Sequence, residues 1–169
     1  NNGESSDTPD GSAAPESRHR SVALYEALGA VAGAAAGLEG VDALYAATCD
    51  ALRNLAGFDA VSIRRADDDG QWLVPVAWHG WGQGALTRYE LPGPGDAVSM
   101  ADDALVGPLV HPTARSFLER RSIYTADYQA EPSLRQYWER ARAHGVHALV
   151  ATPLWRGDEV VGTLTVGSA

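Results

Sequence analysis

The chain has no lysine, one cysteine (Cys49), one methionine (Met100) and two phenylalanines in 169 residues. One thiol can form neither an internal disulfide nor a cysteine-rich zinc site. All 13 basic side chains are arginine, set against 22 acidic ones, for a net charge of −9. That balance lacks the basic face a general nucleic-acid binder needs to neutralise phosphates, and acidity of this size mainly aids solubility. No apolar run reaches the roughly 18 residues needed to span a bilayer, so no membrane insertion by this segment is expected. There is no starting methionine and no charged start followed by an apolar signal core, which reads as a cytoplasmic piece excised from a larger protein. Buriable residues are also scarce at the start. Asn1 to Arg20 hold only Ala13 and Ala14 as apolar residues, which predicts a disordered tail over 1–20. The remainder, 21–169, is of single-core size.

Periodicity then sets out the elements. Leu24, Leu28, Val31, Ala35 and Leu38 form one thin helical stripe, thinned further by Gly29, Gly33 and Gly37. Its spacing suits packing on a partner helix, from a second subunit or from its own domain. A second helix is predicted from Val41 to Ala56, closed by Gly57, with Cys49 inside it as a small core side chain. Strands follow over Ala60–Arg65, with Val61 and Ile63 on one face, and over Gln71–His79, joined by an Asp67-Asp68-Asp69-Gly70 turn. Pro75 cannot donate to a ladder and predicts an edge position for the second strand. Gly80 to Asp103 reads as a long Gly- and Pro-rich loop with a short strand near Thr87–Leu91. After it come a short helix from Pro112 to Arg121, a strand at Ser122–Thr125, and a helix from Pro132 to His144. That last helix buries Leu134, Tyr137, Trp138 and Ala141 and closes at Gly145. A terminal hairpin, Val146–Trp155 and Glu159–Val166, turns at Arg156-Gly157-Asp158. Hairpin-joined strands interrupted by helices predict an α+β fold.

Several of these segments resemble a GAF domain. They are Ala56-Gly57-Phe58-Asp59-Ala60-Val61-Ser62-Ile63, then Arg120 to Asp127 with Glu131-Pro132. Gly145 to Leu154, ending in Pro153-Leu154, and Val161-Gly162-Thr163-Leu164 complete the set. The resemblance spans about Ser21 to Val166, and the order and spacing of its motifs make it specific. It implies a GAF/PAS-like central antiparallel sheet of about five to six strands with helices on both sides, and a ligand pocket under loops and short helices on one face. It also implies a GAF domain over 21–169 whose usual C-terminal helix is missing. The expected role is a sensory or regulatory input domain of a multidomain bacterial signalling protein. The attached output would be a histidine kinase, diguanylate cyclase, phosphatase or transcription regulator. Such a domain binds a small molecule or mediates dimerisation, here as a homodimer through the first helix.

Enzymatic readings find little support in the residues. No nucleophile elbow or phosphate loop is present, and Gly80-Trp81-Gly82-Gln83-Gly84 does not open a helix. Some GAF domains reduce methionine sulfoxide with several cysteines, which Cys49 alone cannot do. The cyclic-nucleotide signature of the family needs a lysine, and the bilin class needs a pocket cysteine and an Asp-Ile-Pro motif; neither is present. A haem- or redox-sensing domain, with His144 or His147 as axial ligand, is the alternative, and a ligand-free dimerisation module is another. The cofactor is left unknown. The residues expected to contact a small ligand are Trp78, Arg88, Tyr124, Asp127, Tyr128, Tyr137, Trp138 and His147, because aromatic faces with polar tips suit a small planar molecule. Residues 80–103 are the expected lid. For Asp127 the competing role is the cap of a turn, for His144 a helix-end contact, and for His147 a half-buried strand position.

Overall fold

The computed structural model describes residues 22–23, 25–26, 28–29, 31, 40–81, 86, 88–91 and 111–169. The expected tail, Leu24, Ala35 and Leu38 of the first stripe, and residues 82–85, 87 and 92–103 of the expected lid lie outside them.

The elements are α1 (Val41–Asn54), β1 (Ala60–Ala66), β2 (Trp72–His79), β3 (Tyr89–Glu90), α2 (Pro112–Glu119) and β4 (Ile123–Thr125). A 3-10 turn (Pro132–Tyr137), α3 (Trp138–Ala143), β5 (Ala148–Arg156) and β6 (Glu159–Ser168) follow. The six strands form one sheet in the order β3-β2-β1-β6-β5-β4, with every neighbouring pair antiparallel. The fold is therefore α+β with a central antiparallel sheet, as the alternation of hairpins and helices predicts.

The local chemistry explains the turns. Asp67 Oδ1 accepts the N–H groups of Gln71 and Trp72, the Asp67 carbonyl accepts from Gly70, and Gly70 takes φ 67°. That combination closes the β1–β2 hairpin. The β5–β6 turn places Arg156 opposite Glu159, where they form a 2.7 Å ion pair.

Two helical layers then bury both faces of the central strands. On one face α1 packs over β1 and β2, where Cys49 meets Val61, Ile63 and Ala77. On the other, α2 packs on β5 and β6, while Tyr128, Leu134, Ala141, Leu149 and Ala151 form a separate core. Ala60 to Arg64 are accordingly all buried, although only alternate residues face either layer.

Two expectations need correction. β2 is not an edge strand throughout, because β3 pairs outside it at Trp72 and Leu73. Among the described residues no strand pairs on that outer side at Pro75, so its missing N–H leaves no ladder bond unmade there. The helix predicted from Pro132 to His144 is a 3-10 turn followed by a short α-helix. Glu131 gives no side-chain cap to the start, which winds as a 3-10 turn, as helix starts often do. The apolar stripe itself survives: Leu134 and Ala141 are buried, with Tyr137 and Trp138 packed against their cluster.

Candidate functional site

A cavity opens on the face of the sheet opposite α1. Seven segments build it: Arg64 from β1, Trp81 after β2, Tyr89 from β3, His111 and Thr113 at the start of α2, Tyr128 and Tyr137, Arg140 and Ala141 from α3, and Val146, Leu149 and Thr165 from the last hairpin. The room it offers to the centres of water-sized molecules is about 30 Å³, and all the empty space between its walls, open solvent included, is about 400 Å³. By the first measure one water needs roughly 10–15 Å³, so the cavity as it stands holds about two waters or a few ligand atoms.

Period two puts Arg64 there. Val61 and Ile63 point to α1, so Ser62 and Arg64 point to the other face. Arg64 is 4% exposed, donates to Ser62 Oγ at 2.8 Å, and lies 5.0 Å from the centre of the Tyr89 ring. Burial is the main force holding its pKa below the usual guanidinium range, and Arg140 adds to it, while Tyr89 and Tyr128 oppose.

His111 is the hub of the aromatic wall. It stacks on Tyr89 with ring centres 4.6 Å apart, meets Tyr137 edge-on at 4.8 Å and Tyr128 at 6.0 Å. Its Nδ1 accepts the Thr113 N–H at 3.2 Å and caps α2. Neutral His111 must therefore carry its proton on Nε2. Burial, followed by the positive charges of Arg64 and Arg140, holds its pKa well below the ordinary value. Burial likewise pushes the phenols up, Tyr137 to about 12 and Tyr128 further, so both stay O–H groups at neutral pH. Thr113 and Thr165 share a 3.0 Å hydroxyl bond across the floor. The Trp81 Nε1–H is buried without a hydrogen-bond partner among the described residues. The wall is thus rich in donors and carries positive charge from two arginines.

The His111 geometry has a measurable consequence. A buried imidazole with a depressed pKa contributes stability that is complete above the unfolded-state value near 6.5 and is lost as pH falls, because the unfolded chain takes up the proton first. His111→Asn keeps an N-cap acceptor and removes the titration. Wild type should lose stability relative to that variant below about pH 6.5, by up to ~1.4 kcal/mol per pH unit. Parallel urea melts at pH 7.5 and 5.5 check this; equal pH slopes would contradict it.

Of the residues expected to contact a ligand, Tyr128 and Tyr137 line the cavity and the others do not, while Trp81 and Tyr89, which the sequence reading counts among the aromatics able to line a pocket, line it as well. Tyr124 pairs with Val150, which pairs with Val166 and through it with Val61, so it lies on the α1 side of the sheet, 69% exposed. Trp78 is 52% exposed near the end of β2. Arg88 sits outside, its guanidinium 4.0 Å from the centre of the Trp72 ring. Asp127 Oδ1 accepts the N–H groups of Gln129 and Ala130, which is the geometry of a turn cap. Trp138 donates to the Glu131 carbonyl and packs behind Tyr128 and Leu134. The His147 side chain is exposed, not half-buried, while its backbone ties Tyr128 to the end of β6: its carbonyl accepts from Tyr128 and its N–H donates to Ser168. His144 stands edge-on to Trp81 with ring centres 6.3 Å apart. Arg64, Thr113 and Arg140 were not singled out by sequence reasoning, and His111 had only the weak claim of a loop-end histidine. Arg64 did leave a signal, being an arginine in the middle of an otherwise apolar strand.

Comparison with known proteins places this geometry in a family. The sequence profile of the GAF domain matches residues 39–169, and the chain belongs to the GAF domain family, a sensory and regulatory fold of signalling proteins. No curated protein matches it in sequence. Among solved structures it is similar to the GAF domain of nlh2 from A. aeolicus in an inactive state, with TM-score 0.67 and 14% identity, covering 88% of this chain and 81% of that one. It is also similar to free methionine-R-sulfoxide reductase from Neisseria meningitidis in complex with its substrate, with TM-score 0.65, 15% identity, and 88% and 74% coverage. A third similar structure is NreA from Staphylococcus aureus mutated in its nitrate binding site, with TM-score 0.53, 14% identity, and 73% and 82% coverage. Identities this low speak for the fold alone.

The residues do not fit the haem that some members of this fold hold. Neither His144 nor His147 lines the cavity. His111 does line it, but with Nδ1 accepting an N–H its Nε2 is protonated and offers no lone pair to a metal.

Proposed function

We propose that the chain is the sensory input domain of a larger signal-transduction protein, binding a small molecule in this cavity and biasing an attached output domain. The output expected is a histidine kinase, diguanylate cyclase, phosphatase or transcription regulator. The observation that supports this reading is the cavity itself: a hollow walled by side chains from seven chain segments, with polar groups converging on it. A ligand there touches both the rigid sheet and the separate elements α2, the 3-10 turn and α3. It can shift a conformational equilibrium to the extent that it binds one arrangement of those elements better.

The reading is of a binding domain, not an enzyme. Cys49, the one thiol, is buried on the opposite face of the sheet among Val61, Ile63 and Ala77. Burial, with Asp50 adding to it, raises its pKa to about 11, which suppresses the thiolate that reductase chemistry needs. A thermal-shift screen of small metabolites and ions tests the proposal, because a ligand of the native state raises the melting point by mass action. Silence across a chemically broad screen would count against it.

Dimerisation is a second reading, and one observation favours it. Val22, Tyr25 and Leu28, helical residues three apart, are 51%, 75% and 64% exposed. Successive side chains at that spacing are neighbours on the helix surface, and together they make an apolar strip that suits a partner helix from a second subunit. Sedimentation of the protein over a range of concentrations decides whether it self-associates.

A further inference from the structure

The cavity's chemistry narrows its ligand. We infer that it takes a small planar anion, of the size and charge of nitrate, formate or acetate; this rests on reading the cavity as a ligand site. Three observations converge. Two guanidinium groups, Arg64 from β1 and Arg140 from α3, line a space with room for only a few heavy atoms. No aspartate or glutamate is among the described residues that line it. The other polar side chains of the wall are donors or can serve as donors: the Tyr89, Tyr128 and Tyr137 phenols, the Thr113 and Thr165 hydroxyls and the His111 Nε2–H.

Geometry and charge both favour an anion. Guanidinium forks match the two coplanar oxygens of a carboxylate or nitrate, and charge-assisted bonds of this kind are the strong ones. The neutral His111 ring adds a donor without adding an acceptor, since Nδ1 is committed to the Thr113 N–H. The stacked His111 and Tyr89 rings, with Tyr137 edge-on, supply flat walls that suit a planar ion.

Isothermal titration with sodium nitrate, sodium formate and sodium acetate, at ionic strength held constant with sodium chloride, tests the inference. Acetamide serves as the neutral planar counterpart of acetate. At least one of the three anions should bind saturably, and acetamide should not. Arg140→Gln, at a half-buried position, should weaken that binding about tenfold or more, and the isosteric Tyr137→Phe should weaken it several-fold. Tyr137→Phe carries the test if Arg140→Gln does not fold. Asp127→Ala, outside the cavity, should leave binding unchanged. Acetamide binding as well as acetate overturns the anion assignment, as does anion binding that both cavity variants retain in full. In either case the sensory reading stands. Failure of all three anions to bind also overturns the assignment, and the sensory reading falls with it only if the broad thermal-shift screen is silent too.

Discussion

Leu134→Ala is expected to destabilise the domain by about 2–5 kcal/mol, the usual cost of truncating a fully buried leucine. Leu134 is 2% exposed and belongs to the cluster that joins Tyr128, Ala141, Leu149 and Ala151, with Tyr137 and Trp138 packed against it. Tyr128, Tyr137, Ala141 and Leu149 also line the cavity, so the same truncation removes support from behind its wall. The variant should therefore lose ligand-induced stabilisation even under conditions where it is fully folded. Urea denaturation gives the first quantity, and a thermal shift at saturating ligand gives the second. A loss below 1 kcal/mol would mean that this cluster is not packed as described.

Gly162→Ala is expected to cost about 1–3 kcal/mol or more, although it adds a single methyl group. A Cβ at Gly162 would collide with the backbone carbonyl oxygen of Arg64 and crowd the Cα of Arg65. Backbone on a central strand cannot step aside as a flexible side chain would, so β1 and β6 must separate locally. The conformation of Gly162 is one any residue adopts; what it needs is the close approach of the two strands. This gives the Val161-Gly162-Thr163-Leu164 motif a physical purpose, since the glycine seats the strand that carries Arg64. The substitution should weaken ligand binding along with stability. Near-wild-type values for both would show that the two strands relax apart without consequence.

The architecture was legible because its signals are local. Alternation over Val61 and Ile63, the Asp67–Gly70 turn, and the Leu134/Tyr137/Trp138/Ala141 stripe each depend on neighbours a few residues away, and the structure keeps all three. The cavity was not legible in the same way, because its wall is assembled from positions spread over about a hundred residues, from Arg64 to Thr165. Tyr128 and Tyr137 emerged from an aromatic-rich segment. Arg64, in contrast, has the charge and the Arg65 neighbour of a surface residue, and only burial of β1 on both faces makes it an interior one. His111 sits just before a proline-led helix, where its capping bond and its three tyrosine neighbours depend on how β3, the 3-10 turn and α2 meet. Tyr124 shows the converse error of scale. Its chemistry suits a ligand, but the parity of β4, set by pairing with Val150, turns it to the other side of the sheet.

The measurement that bears most directly on the cavity as a sensory site is calorimetric titration of the strongest ligand from the thermal-shift screen into wild type and Ala141→Leu in parallel. Ala141 is 7% exposed and lines the cavity, so a leucine there fills the room it offers, and circular dichroism establishes that the fold is retained. Saturable binding to wild type that is abolished in the folded Ala141→Leu variant is the predicted result. Equal binding to both proteins would contradict the account, because the ligand would then sit elsewhere.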